Sequence, residues 1–381
     1  MSPRVRNIAI IGALGLVLAQ VGGLVLIKLG IAEDLLPKIL LRGPKPQIEI
    51  KGETLWSIGF FDITNTLFTS WIVVIFLLVL GYLATRRLRS SEPDLVPSGL
   101  QNAMEAIVEA LYNLILNTVG QRHARRFLPV IATIFLYVVI ANWFALLPVF
   151  NVIGKVEEVG AEEAEFHEKA VVFEDAGVGL ILPDAKELEF DVDEAACAEL
   201  EGEVHESCLV DQRELAIAAA REEQGVGEDE TIGVLAPYFR SVHTDLMAPV
   251  SLAIAAAFFV EFWGISTLGF FAYGSRFFNI SRLRRGDPMG AIDFFVGILE
   301  LIAEVARLIS FSFRLFGNML AGEILLLMMT FLIPLVVALP FYGLELFVGA
   351  IQAFVFAMLT LIFGALAVAG HGEEHAAEEG H

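Results

Sequence analysis

Arg314 sits inside a mostly apolar stretch running from Phe294 to Ile333, in the local sequence Ser310-Phe-Ser-Phe-Arg314-Leu-Phe-Gly-Asn318-Met-Leu-Ala-Gly-Glu323. A guanidinium stays charged in any protein setting. Holding one near the centre of a membrane helix costs at least ~2.5 kcal/mol, so such a residue reads as functional and demands a partner. Glu300, Glu304, Arg307, Glu323, Glu345 and Gln352 share the last quarter of the chain with it. Charges of both signs this deep in apolar sequence point to ion handling inside a bilayer.

Helical spacing sorts these groups. Glu300, Arg307 and Arg314 lie seven residues apart and share one face, with Ser310 and Asn318 one turn either side of Arg314. Glu304 neighbours both Glu300 and Arg307. Glu323 follows Arg314 by nine residues, close to half a rotation away and ~13 Å along the axis. Glu345 and Gln352, seven apart, align on a later helix. One polar set (Glu300, Glu304, Arg307) thus lies toward one membrane face and another (Glu323, Glu345) toward the other, with Arg314 between them. Two aqueous vestibules that never meet, separated by a fixed positive charge, is the simplest physical reading. Each assignment has a plainer rival. Arg314 is too deep to snorkel, but Glu323 and Glu345 also fit a paired, non-conducting carboxylate. Glu300, Glu304 and Arg307 also fit an interfacial charge cluster, and Glu261 is either a channel residue or a helix–helix contact.

The elements that carry these residues follow from composition and hydropathy. Hydrophobic residues make up 56% of the 381-residue chain and Phe alone counts 30; with a mean hydropathy of +0.69, this indicates a multispan α-helical membrane protein. The net charge of −21 is local: residues 151–240 hold 25 Asp/Glu against 6 Lys/Arg, so the remainder is near neutral. The expected fold is an all-α integral membrane protein with six membrane helices and a long, steeply tilted final helical hairpin. An acidic extracytoplasmic insertion, either small α/β or partly ordered, completes it.

The spans read as Asn7–Lys28, Thr64–Ala84, Phe127–Phe150, Leu246–Tyr273, Phe294–Ile333 and Phe341–Ala369. In domain terms these are residues 1–30, an anchor helix or a signal-like segment; 31–63, an outer linker; and 64–150, two spans joined by a cytoplasmic amphipathic helix at 98–119. Residues 151–240 are the insertion, 241–369 hold the last three spans, and 370–381 form a cytoplasmic tail. The fifth span of 40 residues is ~60 Å long as a helix, against a hydrocarbon core of ~30 Å, so it is either tilted by roughly 60° or broken. Arg4 and Arg6, the cluster from Arg86 to Arg126, and the cluster from Arg276 to Arg285 fall on one side of a six-span chain. That side is cytoplasmic by the positive-inside rule, which puts both termini inside and 151–240 outside. Cys197 and Cys208, the only cysteines, both fall in the outer segment, where an oxidising compartment permits a disulfide; two separate thiols is the alternative.

The run Phe313-Arg314-Leu-Phe-Gly-Asn318-Met-Leu-Ala-Gly-Glu323 resembles the signature of subunit a of F-type ATP synthases, the ATP synthase A chain family. Ile351-Gln352-Ala-Phe-Val-Phe-Ala-Met-Leu-Thr360 is similar to that family's last-helix motif. Ala141-Asn142-Trp-Phe-Ala-Leu-Leu-Pro148 is similar to its Asn-x-x-x-x-Leu-Pro pattern, and His243-Thr-Asp245-Leu-Met-Ala-Pro-Val-Ser251 to the start of the next span. The resemblance implies a non-catalytic stator subunit in a cell (inner) membrane that couples ion flow through two offset half-channels to rotation of a c-subunit ring. Arg314 would meet the ring carboxylate and favour its ionised form, with Asn318 and Gln352 as polar neighbours. Glu323 and Glu345 would line the outward half-channel, Asp245 and Asn142 would lie near its mouth, and Glu300, Glu304 and Arg307 would lie along the cytoplasmic one. The implied partners are the c-ring, peripheral-stalk b subunits and membrane lipid. Three features depart from the family pattern: Ala145 where a carboxylate is often found, Met247 and Pro249 in the Asp245 motif, and the 151–240 insertion.

No P-loop, dinucleotide turn or nucleophile elbow occurs, so any nucleotide chemistry belongs to other subunits. No cofactor, metal or nucleic-acid partner is expected. The rivals from other classes are a stand-alone ion channel or secondary transporter with Arg314 in the substrate path, and a membrane-anchored binding protein acting through its acidic outer segment. The first predicts internal repeats, and none is seen; the second leaves the buried charges unexplained.

Overall fold

The computed structural model describes residues 52–58, 61–86, 99–147, 150, 153–158, 169–173, 178–180, 187–189, 197, 203–223, 225, 231–277, 289–332 and 338–369. The expected first span and the C-terminal tail lie outside the described residues. The chain divides into two compact units, residues 1–69, 147–240 and 324–342 in one and 70–146, 241–323 and 343–381 in the other.

In the first unit, strands β1 (Thr54–Ile58) and β2 (Phe61–Thr64) pair antiparallel as a hairpin. Strand β2 runs directly into helix α1 (Asn65–Thr85), where the Thr64 hydroxyl accepts the Leu67 N–H at 3.3 Å as a helix cap. The hairpin lies at the end of the stretch 31–63. Its apolar and aromatic residues find partners: the Trp56 ring meets Phe68 edge-on at 5.6 Å and stacks on Tyr238 at 6.3 Å.

The insertion contributes β3 (Ile153–Glu158), β4 (Lys169–Phe173), β5 (Val178–Leu180), β6 (Glu187–Glu189) and β7 (Thr231–Pro237). They form one antiparallel sheet in the order β5-β3-β7-β4-β6. Helix α2 (Leu100–Phe144), described below, precedes this sheet, and helix α3 (Glu203–Glu223) lies between β6 and β7. A disulfide joins Cys197 to Cys208 on α3. Closing so short a loop stabilises by about 3 kcal/mol on the chain-entropy account. Strand β7 is tied to the start of α1: Asn65 Nδ2 donates to the Pro237 carbonyl at 3.2 Å, and the Arg240 N–H donates to Thr69 Oγ1 at 3.3 Å. The first and last strands of the insertion are register partners, Gly154 opposite Pro237 and Lys155 opposite Ala236.

The second unit is helical. Helix α2 is two helices merged across a break at Gly120, whose φ of 72° only glycine adopts without strain. The stretch before the break corresponds to the amphipathic segment, with Leu111 and Ile115 buried. Beyond it the helix ends at Phe144, short of Phe150, because Ala145 serves as its C-cap. Helix α4 (Met247–Leu268) ends where Gly269 turns to φ 88°, and the short helix α5 (Phe270–Phe277) follows. The expected single span from Leu246 to Tyr273 is therefore interrupted by one glycine.

Helices α6 (Met289–Leu332, 44 residues) and α7 (Ala338–Val368, 31 residues) complete the chain. Pro340 sits in the first turn of α7, where its missing N–H is harmless. Helix α6 is ~66 Å of continuous helix, about twice a hydrocarbon core. Among the described residues, four helices are long and apolar enough to cross a membrane: α1, α2, α4 and α7. Helix α6, with Asp293, Glu300, Glu304, Arg307, Arg314 and Glu323 along it, is not among the four.

The core of this unit gathers Phe127, Ile131 and Val138 from α2, Ala256, Val260 and Trp263 from α4, Phe311, Leu315 and Met319 from α6, and Phe356 and Leu361 from α7. Phe127 stacks on Trp263 with centroids 3.8 Å apart, and a Cβ at Gly364 would collide with both rings. Small residues at such crossings are how helices pack closely where lipid supplies no hydrophobic drive.

Candidate functional site

Helix α6 buries Phe311, Leu315 and Met319, an i, i+4, i+8 stripe that fixes which way every other side chain of this segment points. Phe295, Ile302, Ile309 and Phe313 occupy the opposite face and are exposed. Arg314 and Asn318 fall on the flank between these faces and are exposed as well. Arg314 has no hydrogen-bond or ion-pair partner among the described residues. A permanent cation beside an exposed apolar face, without a counter-charge among the described residues, is a group suited to an anion from elsewhere.

Around it the structure assembles a polar seam between α6 and α7. Asn318 Nδ2 donates to Gln352 Oε1 at 2.8 Å across 34 residues of sequence. Gln352 is 4% exposed, and its Nε2 has no acceptor among the described residues. One turn further along α6, a Cβ at Gly322 would overlap the Glu345 carboxylate, so glycine makes room for the acid. Glu345 is 6% exposed, and its Oε1 has no donor among the described residues. Glu323, beside Gly322, is half-buried.

Glu345, Gly349 and Gln352 share one face of α7, and α2 is fastened to that stripe. Asn142 Nδ2 donates to the Gly349 carbonyl at 3.1 Å, and Trp143 Nε1 donates to the Leu346 carbonyl at 3.0 Å. Asn142 also meets His243 Nδ1 at 2.7 Å through its Oδ1. His243 lies in the 3-10 turn Val242–Thr244 ahead of α4. It is 1% exposed and sits edge-on to the Tyr137 ring at 6.0 Å. Burial pushes its pKa down to about 3, so the imidazole is neutral at physiological pH. Residue types alone assign His243 no role in the motif around Asp245. The available signal was a polar run, Arg240-Ser-Val-His243-Thr-Asp245, set against an apolar helix.

The remaining candidates stand apart. Asp245 Oδ1 accepts the Met247 N–H at 3.1 Å, placing its carboxylate at the positive end of α4. Arg307 Nη2 donates to Glu304 Oε1 at 2.7 Å, and its guanidinium lies over the Phe363 ring at 4.6 Å from the centroid. A cavity of about 30 Å³ opens beside this pair, walled by Ala253, Ala256, Val260 and Thr360, and is large enough for water. Glu300 lies half-buried one turn before Glu304. Glu261 makes no hydrogen bond or ion pair among the described residues and joins neither cluster. Among the described residues, no group of three or more His, Cys, Asp or Glu side chains is arranged to hold a metal ion.

The arrangement therefore offers two separate polar regions, one around Glu304 and Arg307 and one around Glu345, Asn142 and His243, with Arg314 between them along α6. Residues 67–365 match the family model described as ATP synthase A chain. A curated relative, "ATP synthase subunit a" of Gloeobacter violaceus, is 26% identical over 329 residues, covering 86% of this chain and 94% of that protein.

Proposed function

The chain belongs to the ATP synthase A chain family, and on that premise we propose that it is the stator subunit of an F-type ATP synthase. It forms two offset proton half-channels against a rotor ring of c subunits and couples ion flow to rotation. It is a multi-pass membrane component, and nucleotide chemistry belongs to other subunits. The observation that carries this reading is Arg314, an exposed guanidinium with no partner among the described residues. A cation in that setting favours the ionised form of a carboxylate brought beside it and repels a free proton. Each ring carboxylate would release its proton on one side of Arg314 and regain one on the other.

On this reading Glu345, Glu323 and Asn142 line the outward half-channel, and Glu304, Arg307 and Glu300 line the cytoplasmic one with the small cavity beside them. Phe295, Ile302, Ile309 and Phe313 face the ring. Peripheral-stalk b subunits and lipid contact the remaining surface. The Cys197–Cys208 disulfide supports an extracytoplasmic insertion, since disulfides persist outside the reducing cytosol. Purification in mild detergent tests the assignment: a ring-forming c subunit and stalk subunits accompany the chain. Isolation of the chain alone, still conducting ions in vesicles, would favour a stand-alone channel.

The insertion is an accessory on this account. Its net charge concentrates cations only within a Debye length of ~8 Å, and the contacts that hold α1 come from Pro237 and Arg240 at its exit. Gly154 and Pro237 face each other across a strand pair, a gap of about 5 Å. Replacing residues 155–236 with a short Gly/Ser linker is therefore expected to leave ATP-driven pumping unchanged at saturating ion concentration and to slow uptake only at low salt. Loss of pumping at every salt concentration would make the insertion part of the motor.

A further inference from the structure

Asn142 settles the tautomer of His243. Its Nδ2 is committed as donor to the Gly349 carbonyl at 3.1 Å, so its Oδ1 is the atom facing His243 Nδ1 at 2.7 Å. An amide oxygen only accepts. Nδ1 of the neutral ring must therefore carry the hydrogen, which leaves Nε2 as a bare lone pair. That nitrogen is fully buried and has no donor among the described residues. A buried acceptor left unpaired is expensive, and natural cores rarely contain one without a water or an ion-related purpose. The ring is locked on the other side by the Asn142 bond and by Tyr137, itself hydrogen-bonded to Ser70 at 2.8 Å. Rotation cannot turn Nε2 toward another protein group while those contacts hold.

We infer that His243 Nε2 is a proton-relay site of the outward half-channel, taking a proton from water that enters that half-channel and passing it on toward Glu345. The inference rests on the half-channel reading above. In the forward step the Nε2 lone pair forms a bond to a proton of hydronium as the O–H bond breaks, leaving water and an imidazolium. In the return step the same N–H bond breaks, and the proton passes through water to the Glu345 carboxylate. The Nδ1–H stays on Asn142 throughout, so the ring does not turn and no electrons are exchanged. The burial that keeps the ring neutral also keeps the imidazolium short-lived, so the site passes protons without trapping them. Asn142 ties the Nδ1 edge of the ring to Gly349, one turn from Glu345 on the same face of α7, which leaves Nε2 as the edge available to water.

The test uses the assembled complex in liposomes and reads ATP-driven proton pumping. His243→Asn keeps an N–H donor for Asn142 but lacks the second nitrogen, and it is expected to pump at least about tenfold more slowly in complexes that still contain the c-ring. His243→Ala is expected to be similarly slow and to recover several-fold when free imidazole is added on the outer side. Arg314→Ala should gain nothing from imidazole. Pumping by His243→Asn within twofold of the parent would overturn the relay, as would His243→Ala indifferent to imidazole. Normal pumping by Arg314→Ala would instead overturn the half-channel reading itself, so the two failures are distinguishable.

Discussion

Replacing Arg314 with alanine is expected to abolish ion-driven ATP synthesis in complexes that still assemble. The side chain is exposed on the flank of α6 and has no partner among the described residues, so its removal leaves no buried group unsatisfied and puts a good helix former in its place. Two unit charges 4 Å apart interact by about 4 kcal/mol at an effective dielectric of ~20, so losing the attraction slows ionisation of the ring carboxylate by about a thousandfold. The barrier between the half-channels goes with it, and a passive leak should appear. Arg314→Lys is expected to fail as well, since a point ammonium does not reproduce the planar fork. Synthesis driven by a proton gradient, measured alongside c-ring content, decides the matter. Normal rates in assembled Arg314→Ala complexes would sink the assignment.

Glu345→Gln is expected to cut proton flux by about a hundredfold without opening a leak, because an amide of the same volume keeps the packing but cannot carry a proton. Glu323→Gln should act in the same direction, and the double substitution more strongly. The geometry supplies a companion: Gly322→Ala places a methyl where the Glu345 carboxylate lies. That carboxylate ends a flexible side chain, so it swings away and the helix pairing survives. Gly322→Ala is thus expected to slow flux while leaving the complex as stable as the parent in detergent. A passive leak in either glutamine variant, or unchanged flux in the double variant, would contradict the outward half-channel.

Much of the site was legible because a charge in an apolar helix advertises itself. Arg314, Glu323 and Glu345 stand out by residue type alone, and helical periodicity alone puts Gln352 in line with Glu345. Contacts between helices were not legible in the same way. Nothing in the spacing of Asn318 and Gln352 announces their hydrogen bond, and nothing local to Gly322 says it makes room for an acid on another helix. His243 stands two residues before Asp245, whose carboxylate accepts a backbone N–H at the start of α4, and its contact with Asn142 on another helix has no signature in that local run. The β1–β2 hairpin lies in a short polar stretch between apolar spans, where hydropathy dominates, although two β-prone runs separated by Gly59-Phe60 carry the usual hairpin spacing. Gly269 ends α4 early because one backbone φ outweighs hydropathy that continues well past it.

The pairing of Gly154 with Pro237 also bears on how a folded segment can enter or leave a chain of this kind. Chain that departs and returns through neighbouring positions of one strand pair adds nothing to the distance that the rest of the protein must bridge. A whole folded module can be gained there in a single genetic event, and lost as easily, with selection free to judge it on its own merits. The same doorway suits deliberate cargo. A fluorescent protein or a bead-binding tag whose own ends lie side by side would enter between Gly154 and Pro237 and provide a fixed landmark on this chain.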